Sequence, residues 1–104
     1  MNNSICELKI IPEKEKDRAQ INLILTKSSW AELNHIYRSI LNKIPAQVII
    51  NHDIFHNNTF FLEIRYLFLE EVTKTIESTI NESDGIILDK RQIFIKKLGG
   101  WFDF

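Results

Sequence analysis

The hydrophobic pattern of this chain changes its period several times, and the order of those changes limits the folds that it can adopt. Apolar and polar residues alternate over 4–11 and again over 19–26, as is typical of half-buried strands. The charged run 12–18 separates these two segments and indicates a solvated loop. Together they predict a β-hairpin at the start of the chain.

The next segment has the period of an amphipathic helix. Ser29 and Glu32 have the spacing of a capping box, in which each side chain bonds to the backbone amide of the other residue. Pro45 ends the predicted helix, because the residue before a proline is disfavoured in the helical conformation. His35 lies off the apolar stripe, and we expect it to be exposed. The stripe itself recurs every three or four residues and contains Trp30, Leu33, Ile36, Tyr37, Ile40, Leu41 and Ile44.

The rest of the chain repeats the strand and helix patterns. Residues 46–51 and 59–68 predict two strands, the longer with Phe60, Leu62, Ile64 and Tyr66 on one face. A second helix is predicted to begin near Leu69, with Gly85 available as its left-handed cap. Its apolar face is expected to hold Leu69, Val72, Ile76 and Ile80. Residues 86–97 predict either two short strands about a turn at 89–91 or one bent strand with a bulge.

The predicted order of elements is strand, strand, helix, strand, strand, helix, strand, strand. Without the first and last strands, two strand-helix-strand units remain, and right-handed crossovers place both helices on one face of a mainly antiparallel sheet. We therefore predict a single α+β domain over residues 1–104, with a ferredoxin-like split β-α-β core in the order ββαββαββ. Sheets of this kind carry many unrelated activities, so the function has to be argued from sites.

Charge and cysteine content argue against several classes of function. A formal net charge of −1 gives no general attraction for nucleic acid or for anionic membranes. Cys6 is the only cysteine, which excludes an intramolecular disulfide and a sulfur-rich zinc site. No apolar run approaches the roughly 20 residues of a membrane span, and the N-terminal sequence lacks a signal-peptide pattern. We expect a cytoplasmic protein that does not associate with membranes.

The segment 51–58, NHDIFHNN, is the part of the sequence that most suggests a chemical site. His52 and His56 lie four residues apart, and Asp53 follows the first of them. These three side chains are candidate metal ligands, because a catalytic zinc usually takes three ligands from the protein. The neighbouring residues are turn formers between two predicted strands, so we interpret the segment as a hairpin loop. We expect no metal and no other cofactor.

Motifs for nucleophilic catalysis and for nucleic-acid binding are missing. No serine lies in the glycine-flanked turn that exposes a nucleophile, and no glycine-rich loop precedes either predicted helix. Phe61 could stack on a base in an RNA-recognition sheet, but Glu63 beside Arg65 cancels the local charge, and the basic-glycine-aromatic pattern is absent. We expect a protein that is not an enzyme and does not bind nucleic acid.

Acidic residues are concentrated in the second predicted helix and its exit. Over residues 66–85 the only basic residue is Lys74, and the acidic ones are Glu70, Glu71, Glu77, Glu82 and Asp84. A solvated helix face is one explanation, and a docking surface for a basic partner is the other. The tail holds Trp101, Phe102 and Phe104, which either fold back over the core or a sheet edge or act as interface anchors.

These observations favour a non-catalytic protein-binding module. We predict a small bacterial inhibitor of the immunity or antitoxin kind, which neutralises a basic toxin by direct binding through the acidic second helix, with the loop 51–58 or the tail as alternative sites of further contact. A ligand-binding or regulatory ferredoxin-like homo-oligomer, paired through its sheet edges, is the alternative. A metal-dependent enzyme that uses His52 and His56 is the third hypothesis.

Overall fold

The computed structural model describes residues 4–26, 29–55, 58–83, 86–97 and 100–103, without the side chains of Ser4, Phe55, 89–97 and 100–103. Within these ranges the chain forms β1 (Ser4–Glu13), β2 (Arg18–Thr26), α1 (Trp30–Lys43), β3 (Ile49–Phe55), β4 (Thr59–Ile64), α2 (Leu69–Asn81), β5 (Ile86–Lys97) and β6 (Gly100–Asp103). Short 3₁₀ helices occupy Lys14–Lys16, Ala46–Val48 and Tyr66–Phe68. Neither described helix is long and apolar enough to cross a bilayer.

All six strands belong to one sheet, in the spatial order β3-β4-β2-β1-β5-β6. Neighbouring strands are antiparallel except β1 and β5, which are parallel. The α+β class is confirmed, with a mixed sheet. β4 lies between β2 and β3, the two strands that α1 connects, so this half of the sheet is a split β-α-β unit.

The other half of the sheet differs from the predicted ferredoxin-like arrangement. There the strands equivalent to β2 and β5 would be neighbours, whereas β1 lies between them here. The first strand is therefore central rather than an addition to the edge of the core. The physical reason is that both edges of β1 are hydrogen-bonded, antiparallel to β2 and parallel to β5, while its inward residues Cys6, Leu8 and Ile10 are completely covered.

Both helices cover the same face of the sheet. The inward residues of β1, β2 and β4 alternate along each strand and form one apolar cluster with the buried residues of α1 and α2. The helices contribute Leu33, Ile36 and Ile40 from α1, and Val72, Ile76 and Ile80 from α2. The predicted apolar faces of the two helices are confirmed at these positions.

The start of α1 follows the predicted capping box. The Ser29 hydroxyl accepts a hydrogen bond from the Glu32 amide at 3.2 Å, and the Glu32 carboxylate accepts one from the Ser29 amide at 3.3 Å. Placing Trp30 in the apolar stripe was wrong, because its side chain is 62% exposed. Helical side chains lean towards the N-terminus, so the first residue projects beyond the covered face. His35 is exposed, as expected.

The boundaries of β3 also differ from the prediction. Residues 46–48 form a 3₁₀ helix, and the strand runs from Ile49 to Phe55. The loop prediction for 51–58 was therefore wrong for residues 51–55. Their pairing with β4, from Asn51 opposite Glu63 to Phe55 opposite Thr59, outweighs the turn preference of the local sequence.

The C-terminal part of the sheet contains one irregular strand and one short strand. β5 is continuous, but its register against β1 shifts, because Cys6 lies opposite Leu88 whereas Leu8 lies opposite Ile93. The bent strand is therefore the correct alternative. The backbone of β6 pairs with β5, with Phe102 opposite Ile95, so this part of the tail forms a sheet edge. The predicted cap Gly85 lies outside the described residues.

Candidate functional site

The second helix presents a negatively charged outer face. Its inward positions are fixed by the buried side chains of Val72, Ile76 and Ile80, so the acidic residues lie towards solvent. Glu70, Glu71 and Glu82 are exposed and Glu77 is half-buried, and we call these four residues the acidic face. Asp84, which was predicted to belong to the same surface, lies outside the described residues.

Two lysines neutralise part of the acidic face. Lys74 lies 3.3 Å from Glu70 one turn earlier on α2, and Lys43 at the end of α1 lies 3.2 Å from Glu82. Lys43 also donates to the Thr79 hydroxyl at 3.1 Å. Among the side chains that the structure describes, neither Glu71 nor Glu77 has an ion-pair partner. Within the described part of the chain, the acidic face therefore holds more carboxylates than paired lysines.

Part of this charge also stabilises the helix. The residue that precedes α2, Phe68, makes no side-chain capping hydrogen bond, and Glu70 and Glu71 lie in the first turn. Carboxylates at this end of a helix interact favourably with the partial positive charge of its unpaired amides. Glu70 and Glu71 therefore have a structural role in addition to any role in binding.

A groove of about 190 Å³ lies beside the acidic face, between the end of α1 and the first turns of α2. We call it the α1–α2 groove. The residues that form its walls include Pro45, Val48, Phe68, Glu71, Val72 and Thr75. Leu67, which precedes the wall residue Phe68, is 72% exposed. The groove thus places the Glu71 carboxylate beside apolar side chains such as Pro45 and Phe68.

The candidate metal ligands His52 and Asp53 are adjacent residues of β3, not members of a loop. Successive side chains of a strand point to opposite faces, so these two diverge. The His52 ring is hydrogen-bonded through Nδ1 to the Tyr37 hydroxyl, which places it on the helix side of the sheet. His56 lies outside the described residues. No group of three potential metal ligands occurs within the described part of the chain.

Tyr37 links this histidine to the core. Its ring packs edge-on against Phe60, with centroids 4.6 Å apart. Burial raises the pKa of the Tyr37 hydroxyl, the charge of Asp53 raises it further, and Arg38 opposes the shift. The hydroxyl is therefore protonated at neutral pH, and the contact with His52 is a hydrogen bond that holds α1 against β3.

The free side of β3 is blocked by its own side chains. β3 is the last strand at one end of the sheet. The Asn51 side-chain oxygen accepts from the His52 amide at 2.9 Å, and the Asp53 carboxylate accepts from the Ile54 amide at 2.8 Å. These amides are thus occupied, which opposes the addition of a further strand at this edge.

The sheet face opposite the helices carries apolar residues that the sequence analysis did not select. Ile5 and Ile87 lie opposite each other on β1 and β5 and are 44% and 48% exposed. Ile11 and Ile24 lie on the same face and are half-buried. The signal was visible in the sequence, since isoleucines occupy several positions of the nominally polar face of these strands.

The tail aromatics and Cys6 were the other residues considered for binding or catalysis. The backbones of Trp101 and Phe102 belong to β6, their side chains are outside the description, and Phe104 is outside the described residues. Cys6 is fully buried, and burial together with the charge of Glu7 raises the pKa of its thiol from 9.0 to about 12. A thiol of this kind is a poor nucleophile at neutral pH.

Comparison of the chain with protein-family models, curated proteins and solved structures found no match.

Proposed function

We propose that the protein is a non-catalytic binding module, a small cytoplasmic inhibitor of the immunity or antitoxin kind that neutralises a basic toxin domain. The observation that carries this proposal is the position of Glu71, which has no ion-pair partner among the described side chains, at the α1–α2 groove next to the rest of the acidic face. Fixed negative charge speeds encounter with a positive partner and selects against other partners. An adjacent apolar recess supplies the desolvated contacts that determine how long the complex lasts.

The side chains considered for catalysis favour binding over chemistry. Cys6 is buried beneath the helices with a raised pKa, so it is not positioned to attack a substrate. His52 is engaged by Tyr37, and Asp53 points to the other face of the sheet and bonds to the Ile54 amide. A metal-dependent reaction at His52 therefore has less geometric support than partner binding at α2.

The test is capture of a partner from the host of the protein, with the tagged chain washed at low and at high salt. We expect one basic protein to be retained stoichiometrically at low salt and to be released progressively as salt screens the charges. Recovery of the chain alone under both conditions, or only with further copies of itself, contradicts the proposal.

Charge variants test whether the captured partner binds at the acidic face. Glu70→Lys with Glu71→Lys should slow association and weaken binding, and the neutral pair Glu70→Gln with Glu71→Gln should do so less strongly. Glu13→Gln with Glu15→Gln is the control matched to the neutral pair, because it removes the same two charges at the β1–β2 hairpin without touching α2. Equal affinity for all these variants at low salt would remove the acidic face from consideration.

A ligand-binding or regulatory homo-oligomer is the second candidate. It is favoured by the exposed pair Ile5 and Ile87 on the sheet face opposite the helices. A mass that rises with protein concentration, and falls in Ile5→Lys, is the expected result for this candidate. A constant monomer mass contradicts it.

A further inference from the structure

The α1–α2 groove has an apolar base and a carboxylate, that of Glu71, in its wall. Ile44, Val48 and Val72 are buried core residues that also line the groove, so its base is apolar. Pro45 and Phe68 add apolar surface at its sides. Glu71 is the acidic residue among the groove-lining side chains, and it has no ion-pair partner within the described part of the chain.

The positively charged side chain at the groove, Lys43, already has two partners. Lys43 lines the groove, but its ammonium group lies 3.2 Å from Glu82 and donates to Thr79 at 3.1 Å. Lys43 is therefore not available to neutralise Glu71 without breaking both contacts. An anionic ligand would be repelled by the Glu71 carboxylate. A wholly apolar ligand would partly desolvate that carboxylate without giving it a partner.

We propose that the α1–α2 groove receives one arginine side chain of the protein partner, whose guanidinium group pairs with Glu71. This inference rests on the proposed function and specifies the contact that anchors the partner. An arginine combines an apolar stem, which can lie along Val48 and Val72, with a planar cation that can bind a carboxylate through two parallel hydrogen bonds. Arginines held in this way in desolvated recesses are frequent hot spots of protein interfaces.

A small-molecule titration tests the groove without the partner. The probe is N-acetyl-arginine-methylamide, added to the isotope-labelled full chain and followed by amide chemical shifts. The matched neutral probe is the citrulline derivative, which has nearly the same shape without the charge. We expect saturable shifts at Val48, Glu71 and Thr75, and a dissociation constant about fivefold higher for the citrulline probe, as for one partly exposed ion pair.

Substitution of Glu71 provides the second readout. In Glu71→Gln the affinities for the two probes should become equal, whereas Glu77→Gln removes the same charge about 1.7 turns away and should preserve the difference. Equal binding of both probes to the unmodified chain, or shifts confined to residues outside the groove, would overturn the inference.

A groove-filling variant separates this inference from the proposed function. Thr75→Leu adds apolar volume in the groove without a change of charge, and Ser78→Leu makes the same kind of change on the exposed surface of α2. We expect partner capture to fall at least tenfold in Thr75→Leu and to persist in Ser78→Leu, with the fold of each checked by circular dichroism. Full capture by Thr75→Leu, with loss in Glu70→Gln and Glu71→Gln, overturns the groove contact alone. Capture that none of these changes affects overturns the groove contact and removes the acidic face from consideration, whereas failure of the unmodified chain to capture a partner overturns the proposed function.

Discussion

Asp17 and Arg65 join the tip of the β1–β2 hairpin to the chain that enters α2. One carboxylate oxygen of Asp17 lies 2.9 Å from both Nε and Nη2 of Arg65, and the other accepts from the Leu67 amide at 3.4 Å. The Arg65 guanidinium also lies 5.9 Å from the centre of the Phe68 ring. The hairpin therefore helps to hold Phe68, a wall of the α1–α2 groove, in place.

Asp17 should contribute to stability through both its side chain and its backbone. Its φ angle of 52° lies in the left-handed region, which aspartate and asparagine tolerate better than alanine. Asp17→Asn should lower the free energy of unfolding by up to about 1 kcal/mol, since the ion pair is half exposed. Asp17→Ala should add a backbone cost of about 1 kcal/mol, which Asp17→Gly avoids. Urea unfolding of the three variants measures both terms, and equal stability of the alanine and glycine variants would exclude the backbone term.

The buried thiol of Cys6 should make stability fall in alkaline solution. Its pKa is about 12 in the folded protein, against an ordinary value of 9.0, so the unfolded chain loses this proton first as the pH rises. The stabilising contribution is complete below pH 9 and is lost between pH 9 and about 12. One such group changes the free energy of unfolding by about 1.4 kcal/mol per pH unit in that interval.

Cys6→Ala is the matched control, because it removes the titrating group from the same position. Its unfolding free energy should be lower at pH 7 but should fall less steeply above pH 9. Urea unfolding at several pH values measures both slopes. Parallel curves for the two proteins would show that Cys6 is not responsible for the alkaline loss. In the unmodified protein, thiol reagents should react only as fast as the chain opens.

Local sequence signals predicted the helices well and the position of β1 poorly. The capping box of Ser29 and Glu32 and the stop at Pro45 act between neighbours in the chain, so the limits of α1 can be derived without the rest of the fold. The alternation of Cys6, Leu8 and Ile10 is the same in a central strand as in a half-buried edge strand. Its parallel pairing with β5 joins residues about 80 positions apart, and nothing local encodes that contact.

In the candidate site, too, some features follow from the local sequence and others from long-range packing. Glu70 and Glu71 could be placed on an exposed helix face from the spacing of the apolar residues of α2. The α1–α2 groove could not be derived from the sequence, because it forms where Pro45 and Val48 meet Phe68 and Val72. Likewise the pairing of His52 with Tyr37 depends on how α1 lies against β3, which the order of elements does not determine.

Removal of Lys43 should strengthen the binding of a basic partner. Lys43→Met leaves Glu82 without its partner and makes the acidic face more negative. The cost in stability should be well below about 1 kcal/mol, because both side chains are substantially exposed. Affinity should rise several-fold at low salt, and the gain should disappear in high salt, where the charges are screened.

The control for this variant is Lys14→Met, which changes the net charge equally at the hairpin tip. It should leave the affinity for the partner unchanged. Weaker binding of Lys43→Met would mean that Lys43 itself contacts the partner, and the assignment of the surface would then have to change.

The free edge of β3 should pair with further strands when the side chains that bond to its amides are removed. Asn51→Val with Asp53→Val leaves the His52 and Ile54 amides without their present acceptors and raises the strand preference of the segment. We expect the sedimentation mass of this variant to rise with concentration relative to the unmodified chain. Asp53→Asn keeps a side-chain oxygen for the Ile54 amide but loses the charge, so it should sediment like the unmodified chain. An unchanged mass for the double valine variant would show that these side chains do not control association, and an increase in Asp53→Asn would assign that control to charge.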